Sequence, residues 1–428
     1  MALKLLLLPR TQLAAACCLV LALLLLPLSG CAAAAAAVTR LPGFDGPLPF
    51  SLETGYVSID EDTGAELFYY FVESERSPAT DPVFLWLTSG PRCSAFCGVA
   101  FEIGPINFVV QPYDGTLPRL VYNPNSWTRA ASVLFLDSPV GTGFSYARDP
   151  QGYDVGDILS SRQVVTFLRK GYLVGNPVTG EKIDMNSRIP YAHSHGIISD
   201  QQYEAAMANC KGDYVSPTNK LCADVLQTIG DLMSEVNRDD ILAPTCPFDS
   251  PKQGRDSLTR RALAEEHYYR LSGLPEEHSS PCFEYRFYLS YFWANDNATR
   301  AALGIKEGTV TEWVRCKRSG FPYTYDFHSS IKYHFNLTTR GYRLLVYSGD
   351  HDLIVPFSGT HAWIRSFNFS IVDDWRAWHL DGQAAGFTIK YANDLTFATV
   401  KGGRHTAPGN RPKECLAMAK RWLHNEPL

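Results

Sequence analysis

The sequence lacks the features that would mark a nucleic-acid-binding, fibrous or membrane-spanning protein. Its 428 residues hold 39 Lys and Arg against 44 Asp and Glu, with both signs scattered along the chain. This net charge of −5 gives no basic surface for nucleic acids or anionic membranes. Beyond an N-terminal alanine run there is no repeat or low-complexity tract. After the leader, no apolar segment reaches the ~20 residues that cross a bilayer.

The first 37 residues have the layout of a secretory signal peptide. Lys4 and Arg10 supply positive charge, residues 13–28 are almost wholly apolar, and residues 31–37 are small. An uncleaved anchor is the alternative, but the apolar stretch is short for a spanning helix. Cleavage leaves 391 of the 428 residues, enough for one large domain, 38–428. We expect a soluble protein on the secretory route, either extracellular or vacuolar.

Eleven cysteines are present, three of them in the leader at Cys17, Cys18 and Cys31. The others are Cys93, Cys97, Cys210, Cys222, Cys246, Cys282, Cys316 and Cys415. In an oxidising compartment these are expected to form disulfides, because their spacings fit no zinc motif. We expect neither a metal nor a cofactor. Glycosylation sequons at Asn297, Asn336 and Asn368 agree with secretion.

Apolar runs predict a largely parallel sheet with helices. Residues 55–60 and 65–71 flank Asp62-Thr63-Gly64 and predict a β-hairpin. Continuous apolar runs at 83–87 and 132–136 are typical of strands buried on both faces. Further strands are predicted at 171–175, 343–347 and 396–400, and helices at 158–170 and 411–424.

Between about 187 and 322 the sequence changes character. This region is richer in charge and has no buried-strand runs. We interpret it as a mostly helical insertion that caps the sheet, as lids do in many hydrolases. The predicted fold class is therefore α/β with a helical insertion.

Two C-terminal segments carry residues that suit acid–base chemistry. The strand at 343–347 runs into an acidic turn with Asp350 and Asp352, and the strand at 396–400 leads to glycines and His405. An acid and then a histidine, each past the end of a strand, is how an α/β-hydrolase presents its last two triad members. The first member should be a serine in a G-x-S-x-G elbow, and the sequence contains no such motif.

The chain resembles the plant serine carboxypeptidase-like proteins, of the peptidase S10 type. The similarity covers essentially all of 38–428. The segments that carry it are 41–44, 53–57, 86–94, 102–105, 136–146, 175–177 and the two C-terminal segments. The resemblance implies an α/β-hydrolase fold with a helical lid. It also implies a reaction through an acyl-enzyme, which either releases C-terminal residues from peptides or transfers acyl groups from sugar esters.

By this resemblance, Asp352 would be the triad acid, in preference to Asp350, and His405 the general base. Without it, Asp352 could equally be a turn carboxylate and His405 a surface loop residue. Thr88, Ser89 and Gly90 occupy the loop that helps to form the oxyanion hole and to bind the substrate's terminal carboxylate. Glu102 is assigned to the same substrate region.

Several positions depart from the family pattern. Ser89 and Arg92 replace glycines of the oxyanion loop, and a side chain at either crowds a loop whose amides approach an oxyanion. Arg404 and Gly409 stand where relatives usually carry a glycine and an acid. Thr88, together with residues 141–143, favours the acyltransferase branch that uses glucose esters.

The largest departure lies at the junction of Lys170 and Gly171. In relatives, a strand, the Gly-Asp-Ser-Tyr-Ala-Gly elbow and a long helix separate these positions. Here a predicted helix runs directly into a predicted strand, although such loops usually need ~2–6 residues. One central strand–helix unit, including the nucleophile, is therefore deleted. Neighbouring strands must either re-pair or leave polar groups unsatisfied, at ~1–3 kcal/mol each, against a typical stability margin of ~5–15 kcal/mol.

No other serine is a convincing replacement. Ser145 lies in a sequence that only superficially mimics an elbow, and relatives carry it in addition to the true elbow. Ser138 precedes Pro139, which cannot begin the required strand-to-helix turn. We therefore expect an inactive or severely impaired form. A non-catalytic secreted binding or decoy protein is the alternative.

The resemblance also implies a disulfide pattern that spacing alone does not determine. The pairs it implies are Cys93–Cys316, Cys210–Cys222 and Cys246–Cys282. Cys97 and Cys415 would stay unpaired. The oligomeric state is not determined by the sequence.

Overall fold

The computed structural model describes residues 36–88, 92–164, 171–246, 283–317 and 321–428. The predicted signal peptide, apart from its last two residues, lies outside these ranges, as do Ser89 and Gly90. Among the residues described, no helix has the length and hydrophobicity needed to cross a bilayer.

Fourteen strands are described, and most of them belong to two five-stranded sheets. In chain order they are β1 (Ala36–Val38), β2 (Leu52–Asp60), β3 (Ala65–Val72), β4 (Val83–Trp86), β5 (Ile106–Phe108), β6 (Leu120–Tyr122), β7 (Ser132–Leu136), β8 (Val155–Gly156), β9 (Gly171–Gly175), β10 (Tyr323–Thr324), β11 (Arg343–Gly349), β12 (Ile371–Leu380), β13 (Gln383–Tyr391) and β14 (Leu395–Val400). The first sheet has the order β1-β2-β3-β7-β4 and the second β12-β13-β14-β11-β9. Two small ladders join β5 to β6 and β8 to β10.

The N-terminal sheet is built on the predicted hairpin. β2 pairs antiparallel with β3, and Gly64 in the connecting turn has a φ of +61°, which favours glycine. β7 pairs antiparallel with β3 and parallel with β4. The apolar run of β7 is largely buried, as predicted, but that of β4 is not, and Val83 is 65% exposed. β4 is exposed because it lies at the outer edge of its sheet.

The C-terminal sheet contains the predicted strands and one hairpin that the sequence analysis missed. β11 pairs parallel with both β9 and β14. β13 and β12 then add antiparallel. Asp381 and Gly382 connect β12 to β13 with φ values of 50° and 74°. The Asp-Gly pair is a strong signal for this type of two-residue turn.

The two sheets face each other across what we call the sheet break, formed by the outer edges of β4 and β9. No strand in the described part of the chain pairs with either edge. The sheets nevertheless share one core, because the Trp127 ring lies 5.5 Å from that of Trp86 in β4 and 6.5 Å from that of Tyr347 in β11. β9 begins at Gly171, directly after the junction singled out in the sequence, and β4 and β9 do not pair with each other.

The insertion is helical in its described parts. Its helices are Arg188–Ser194, Asp200–Cys210, Lys220–Ser234, Tyr285–Asn295 and Asn297–Ala302. Ser199 caps one of them in a capping box with Gln202. Trp293 stacks on Phe96 at 4.8 Å, which packs the insertion onto the N-terminal core. Outside the insertion, the predicted C-terminal helix spans Pro412–Leu423, and the helix predicted from residue 158 is described over Asp157–Val164.

Two of the three disulfides implied by the resemblance are described. Cys93 bonds to Cys316 and Cys210 to Cys222. Cys97 and Cys415 are buried thiols. Cys246 is also disulfide-bonded, and its expected partner Cys282 lies outside the described residues. The Cys93–Cys316 bond ties the loop after β4 to the end of the insertion.

Candidate active site

Asp352 is held rigidly in the turn after β11. Its side chain is buried, and its Oδ1 accepts hydrogen bonds from the backbone N–H groups of Ile354 (2.7 Å) and Val355 (3.1 Å). Asn176 donates to Oδ2 from its Nδ2 at 2.8 Å. With its lone pairs engaged in this way, the carboxylate has one fixed orientation.

Asn176 connects the neighbouring strand to this acid. It follows β9 directly, and its φ of 40° turns the chain at the strand end. Its Oδ1 accepts from the Gly349 N–H at 3.2 Å while its Nδ2 binds Asp352. The sequence analysis quoted Asn176 only within a family segment and missed this role. The signal that was available is its position at the carboxyl end of a parallel strand, where site residues of α/β sheets gather.

His405 meets Asp352 at the same edge of the sheet. Its Nδ1 lies 2.8 Å from Asp352 Oδ2, and its backbone N–H donates to the Asp239 carbonyl at 2.7 Å. An ionised carboxylate only accepts, so Nδ1 donates and Nε2 carries the lone pair of the neutral ring. The side chain is 24% exposed, so part of the ring is open to solvent.

Asp350, the competing acid, does not contact His405. Its Oδ1 instead accepts from the Gly402 N–H at 2.7 Å, which stabilises the glycine turn before the histidine. The preference for Asp352 therefore agrees with the geometry.

The pKa of His405 is set by two opposing effects. Burial by itself would lower this pKa, because it penalises the charged ring. The negative charge of Asp352 and its hydrogen bond outweigh burial, so the pKa of His405 is raised above its ordinary value. A raised pKa makes the imidazole a better proton acceptor.

Arg404 and Gly409 are two of the departures from the family pattern. Both lie beside the ring of Phe283, which belongs to the insertion. The Arg404 side chain is only 3% exposed, and its guanidinium lies 4.1 Å from the centre of the Phe283 ring. A Cβ at Gly409 would come within 2.8 Å of the same ring and 2.9 Å of the Phe101 carbonyl. Phe283 therefore occupies the space that a longer side chain at 409 would need.

Arg404 also joins the histidine loop to the insertion through two carboxylates. Its Nη2 lies 2.9 Å from Glu284 and 3.3 Å from Asp239. Asp239 is the residue whose carbonyl accepts from the His405 N–H. The position of His405 is thus fixed partly by the lid insertion.

Glu102 approaches the site from the N-terminal sheet. It ends the helical turn Gly98–Glu102 and accepts a 2.6 Å hydrogen bond from Trp86 Nε1, at the end of β4. Burial raises the pKa of Glu102 to about 7, although the Trp86 hydrogen bond and the charges of Arg315 and His405 oppose the rise. Near neutral pH this carboxyl can therefore donate a hydrogen bond as well as accept one.

The oxyanion loop is described only at its two ends. Thr88 Oγ1 is buried and has no hydrogen-bond partner among the described residues. Arg92 has a φ of 66°, a conformation that suits the glycine expected there. Its guanidinium donates to the carbonyls of Val140, Tyr153 and Pro322. The charge of Arg92 is therefore satisfied by these three carbonyls.

Residues 141–143 lie away from the acid–histidine pair. Gly141 and Gly143 line a cavity of about 200 Å³ that contains neither Asp352 nor His405. A Cβ at Gly143 would collide with the carboxylate of Asp137. The glycine at 143 is therefore required by packing, which weakens its value as a marker of the acyltransferase branch.

The replacement serines are not placed for catalysis. Ser145 is buried, and its Oγ donates to the Asp137 carbonyl (2.6 Å) and accepts from the Phe68 N–H (2.7 Å). Ser138 makes no contact with the histidine. Within the described residues, no serine, threonine or cysteine side chain is hydrogen-bonded to His405. The neutral ring can accept a proton at Nε2, but the described residues place no hydroxyl in hydrogen-bond contact with it.

Comparison with known proteins identifies the family. The serine carboxypeptidase family profile matches the chain in two pieces, 42–170 and 169–425, which meet at the junction singled out in the sequence. Serine carboxypeptidase-like 19 of Arabidopsis thaliana is 42% identical over 444 positions, covering 91% of this chain and 94% of the relative. Since 91% of 428 residues is about 389, about 55 of those positions have no counterpart here.

Other similarities agree. Serine carboxypeptidase-like 2 of the same plant is 41% identical over 440 positions, covering 91% of this chain and 93% of the relative. Among solved structures, the prohormone-processing carboxypeptidase of Saccharomyces cerevisiae is similar, with a TM-score of 0.66, 16% identity and coverage of 91% and 95% of the two chains. The fold is that of the α/β-hydrolases. The chain belongs to the serine carboxypeptidase family.

Proposed function

We propose that this protein is a catalytically silent serine carboxypeptidase-like protein, which has kept the acid–base pair of the family reaction and lost its nucleophile. The observation that carries the proposal is the isolated state of His405. Its Nδ1 is bound to Asp352 at 2.8 Å, whereas no described hydroxyl or thiol is hydrogen-bonded to its ring. The missing positions in the comparison with relatives support the same conclusion.

The family chemistry explains the size of the expected loss. A serine attacks the scissile carbonyl, histidine takes its proton, and the buried carboxylate stabilises the imidazolium. Asp352 and His405 suit the last two roles. Removing the nucleophile from such a triad costs about 10⁶ in turnover, because the remaining groups cannot form the acyl-enzyme.

The substrate class we propose is peptides with a free C-terminal carboxylate. Glu102 supports this choice, because a carboxyl with a pKa near 7 can donate a hydrogen bond to a substrate carboxylate. Thr88 lies at the same end of β4, and its buried hydroxyl has no partner in the described chain. Both groups belong to the N-terminal sheet and do not depend on the missing nucleophile.

Fluorophosphonate labelling of the purified secreted chain tests the proposal. The control is a version in which the strand, elbow and helix of serine carboxypeptidase-like 19 are inserted between Lys170 and Gly171. We expect labelling of the restored protein only. Labelling of the present chain that His405→Ala abolishes would reveal a substitute nucleophile, and mass spectrometry would locate it at Ser89, Ser145 or elsewhere.

A second candidate function is binding without turnover, favoured by the Trp86–Glu102 hydrogen bond that persists in the absence of a nucleophile. Calorimetric titration with a peptide and its C-terminally amidated form tests it. Selective binding of the free acid, lost in Glu102→Gln, would support a binding role. Equal affinity for both peptides would remove the basis of this candidate.

Whether the family activity here is hydrolysis or acyl transfer depends on the substrate of the restored protein. Thr88 favours the glucose-ester branch, whereas residues 141–143 no longer do. Parallel assays of peptide cleavage and of transfer from an acyl glucose ester by the restored protein would decide between the two.

We also propose that the protein follows the secretory route. Two described disulfides support an oxidising compartment, and Asn297, Asn336 and Asn368 are all exposed at the surface. N-terminal sequencing of the secreted protein should find cleavage near residue 37. Endoglycosidase treatment should lower its apparent mass. An uncleaved N-terminus in the membrane fraction would contradict this route.

A further inference from the structure

We propose that the sheet break binds one extended strand supplied by another polypeptide, and that this strand is the strand–elbow segment of an intact family member. The occupant would lie between β4 and β9, parallel to both, and would join the two five-stranded sheets. The proposal rests on the proposed function in one respect, because both start from the absence of the elbow unit.

The two edges run in the same direction. Trp86 is the last residue of β4, and its ring lies 5.5 Å from that of Trp127. Gly175, the last residue of β9, is in register with Tyr347, whose ring lies 6.5 Å from the same Trp127 ring. Both carboxyl ends therefore lie on the Trp127 side of the break. A strand inserted between them can be parallel to both neighbours.

The outward-facing backbone groups of β4 follow from its ladder with β7. The Ser132 N–H donates to the Pro82 carbonyl, and Phe84 is in register with Val133. In a parallel ladder, alternate residues bond to alternate sides. Phe84 and Trp86 therefore face β7, whereas the N–H and C=O groups of Val83 and Leu85 point into the sheet break.

The same argument applies to β9. The Asn176 N–H donates to the Tyr347 carbonyl, and Val174 is in register with Val346. The backbone groups of residues 171, 173 and 175 therefore face the sheet break. Each edge offers two or three residues whose donors and acceptors are unpaired among the described residues, which suits a strand of about five residues.

The side chains around the sheet break favour an apolar strand as its occupant. Trp86, Trp127 and Tyr347 span the core between the sheets, and the Trp127 indole N–H has no partner among the described residues. Strands in the middle of a parallel sheet are apolar on both faces. By the family resemblance, we expect the elbow segment to have this character and to end in a serine.

The length of the segment without a counterpart favours the elbow segment of a relative, rather than a second copy of this chain, as the occupant. The family profile breaks between residues 169 and 170, and about 55 positions of the similar plant protein have no counterpart here. Those positions would supply the one strand that the sheet order lacks. A second copy cannot supply it, because its sequence lacks the same unit.

Fluorescence anisotropy with a labelled peptide tests the proposal. The probe is the strand–elbow–helix segment of serine carboxypeptidase-like 19, and a scrambled peptide is the control. We expect saturable binding of the probe and at least tenfold weaker binding of the scrambled peptide. Equal binding of the two peptides would overturn the proposal.

N-methylated probes test the geometry without changing the protein. A strand between two edges bonds alternately to β4 and to β9, so N-methylation of either the odd or the even residues should weaken binding at least tenfold. If N-methylation weakens binding at only the odd or only the even residues, the peptide pairs with a single edge. That result would rule out a strand between β4 and β9. On the protein side, Leu85→Pro should block binding because it removes an outward N–H, while Leu85→Ala should retain it.

Labelling separates this proposal from the proposed function. Fluorophosphonate labelling of the chain without peptide would contradict the proposed function and leave the binding result unaffected. Absent or non-selective peptide binding would contradict the strand proposal, even if the chain alone is unlabelled.

Discussion

The two sheets differ in how each supports its part of the candidate site. On the C-terminal sheet, Asp352 and His405 keep their hydrogen bonds, which come from the turns after β9 and β11 and from Asp239 of the insertion. On the N-terminal sheet, β4 has an exposed edge, and Glu102 depends on Trp86 at the end of that edge strand.

This comparison shows that the contact between Asp352 and His405 is supported without help from the N-terminal sheet. None of the hydrogen bonds that fix Asp352 comes from the N-terminal sheet. The proposed loss of the nucleophile would therefore leave the proton acceptor in place. The N-terminal side should be the more sensitive to change, because among the described residues Glu102 accepts one hydrogen bond, from Trp86, whereas Asp352 accepts four.

The largest expected effect is on the contact between the sheets. Trp127→Ala should lower the free energy of unfolding by about 3–5 kcal/mol, because it empties the space between Trp86 and Tyr347. Trp375→Ala, at a residue 41% exposed, should cost much less. Urea unfolding measures both. Equal losses would mean that the sheets do not depend on Trp127 for their common core.

The sequence predicted most of the strands because apolar runs persist wherever a strand is buried. It also predicted that Asp352 and His405 follow neighbouring strands, which parallel packing then brings together. It missed β12 and β13, although Asp381-Gly382 was a usable signal, because β12 carries charged residues and much of it is exposed.

The roles of Asn176 and Arg404 could not be deduced from local pattern. Each acts through partners far away in the chain: Asn176 binds Asp352, and Arg404 binds Asp239 and Glu284. Contacts between residues so far apart in the chain produce no periodic pattern in the sequence. The effect of Arg404 also depends on Phe283, whose ring position is a consequence of how the insertion packs.

The next largest effect concerns the link between the insertion and the C-terminal sheet. Arg404→Met should destabilise the protein by about 3 kcal/mol, because Glu284 and Asp239 lose a buried cationic partner. Arg119→Met is the matched control. It breaks an ion pair with Asp45 in which both side chains are largely exposed, and such pairs contribute less than about 1 kcal/mol. Similar losses by thermal unfolding would argue against a structural link at Arg404.

A smaller, pH-dependent effect should come from Glu102 on the N-terminal side. Its pKa is about 7 in the folded protein against an ordinary value of 4.5, so between these values the folded state holds a proton that the unfolded state has lost. Stability should therefore fall as pH rises from about 4.5 to 7, by at most about 3 kcal/mol, since each pKa unit is worth 1.36 kcal/mol.

Glu102→Gln should remove this slope, and the exposed Glu307→Gln should leave it unchanged. Urea unfolding at a series of pH values measures the difference between each variant and the parent. A parallel pH dependence in Glu102→Gln and the parent would show that Glu102 does not hold a proton in the folded state.

The smallest expected effect is the coupling within the acid–histidine pair. The negative charge of Asp352 and its hydrogen bond raise the pKa of His405 against the opposing effect of burial, so Asp352→Asn should lower that pKa. Because the folded-state pKa is raised, the pair contributes stability below the ordinary pKa of histidine, and this contribution disappears as pH rises through the folded value.

Titration of the histidine ring protons by NMR, assigned with His405→Gln, measures the shift. His361, whose pKa burial lowers, serves as an internal control that should not move. An unchanged His405 pKa in Asp352→Asn would mean that the 2.8 Å contact does not couple the two groups in solution, and the C-terminal side would then be no better preserved than the N-terminal side.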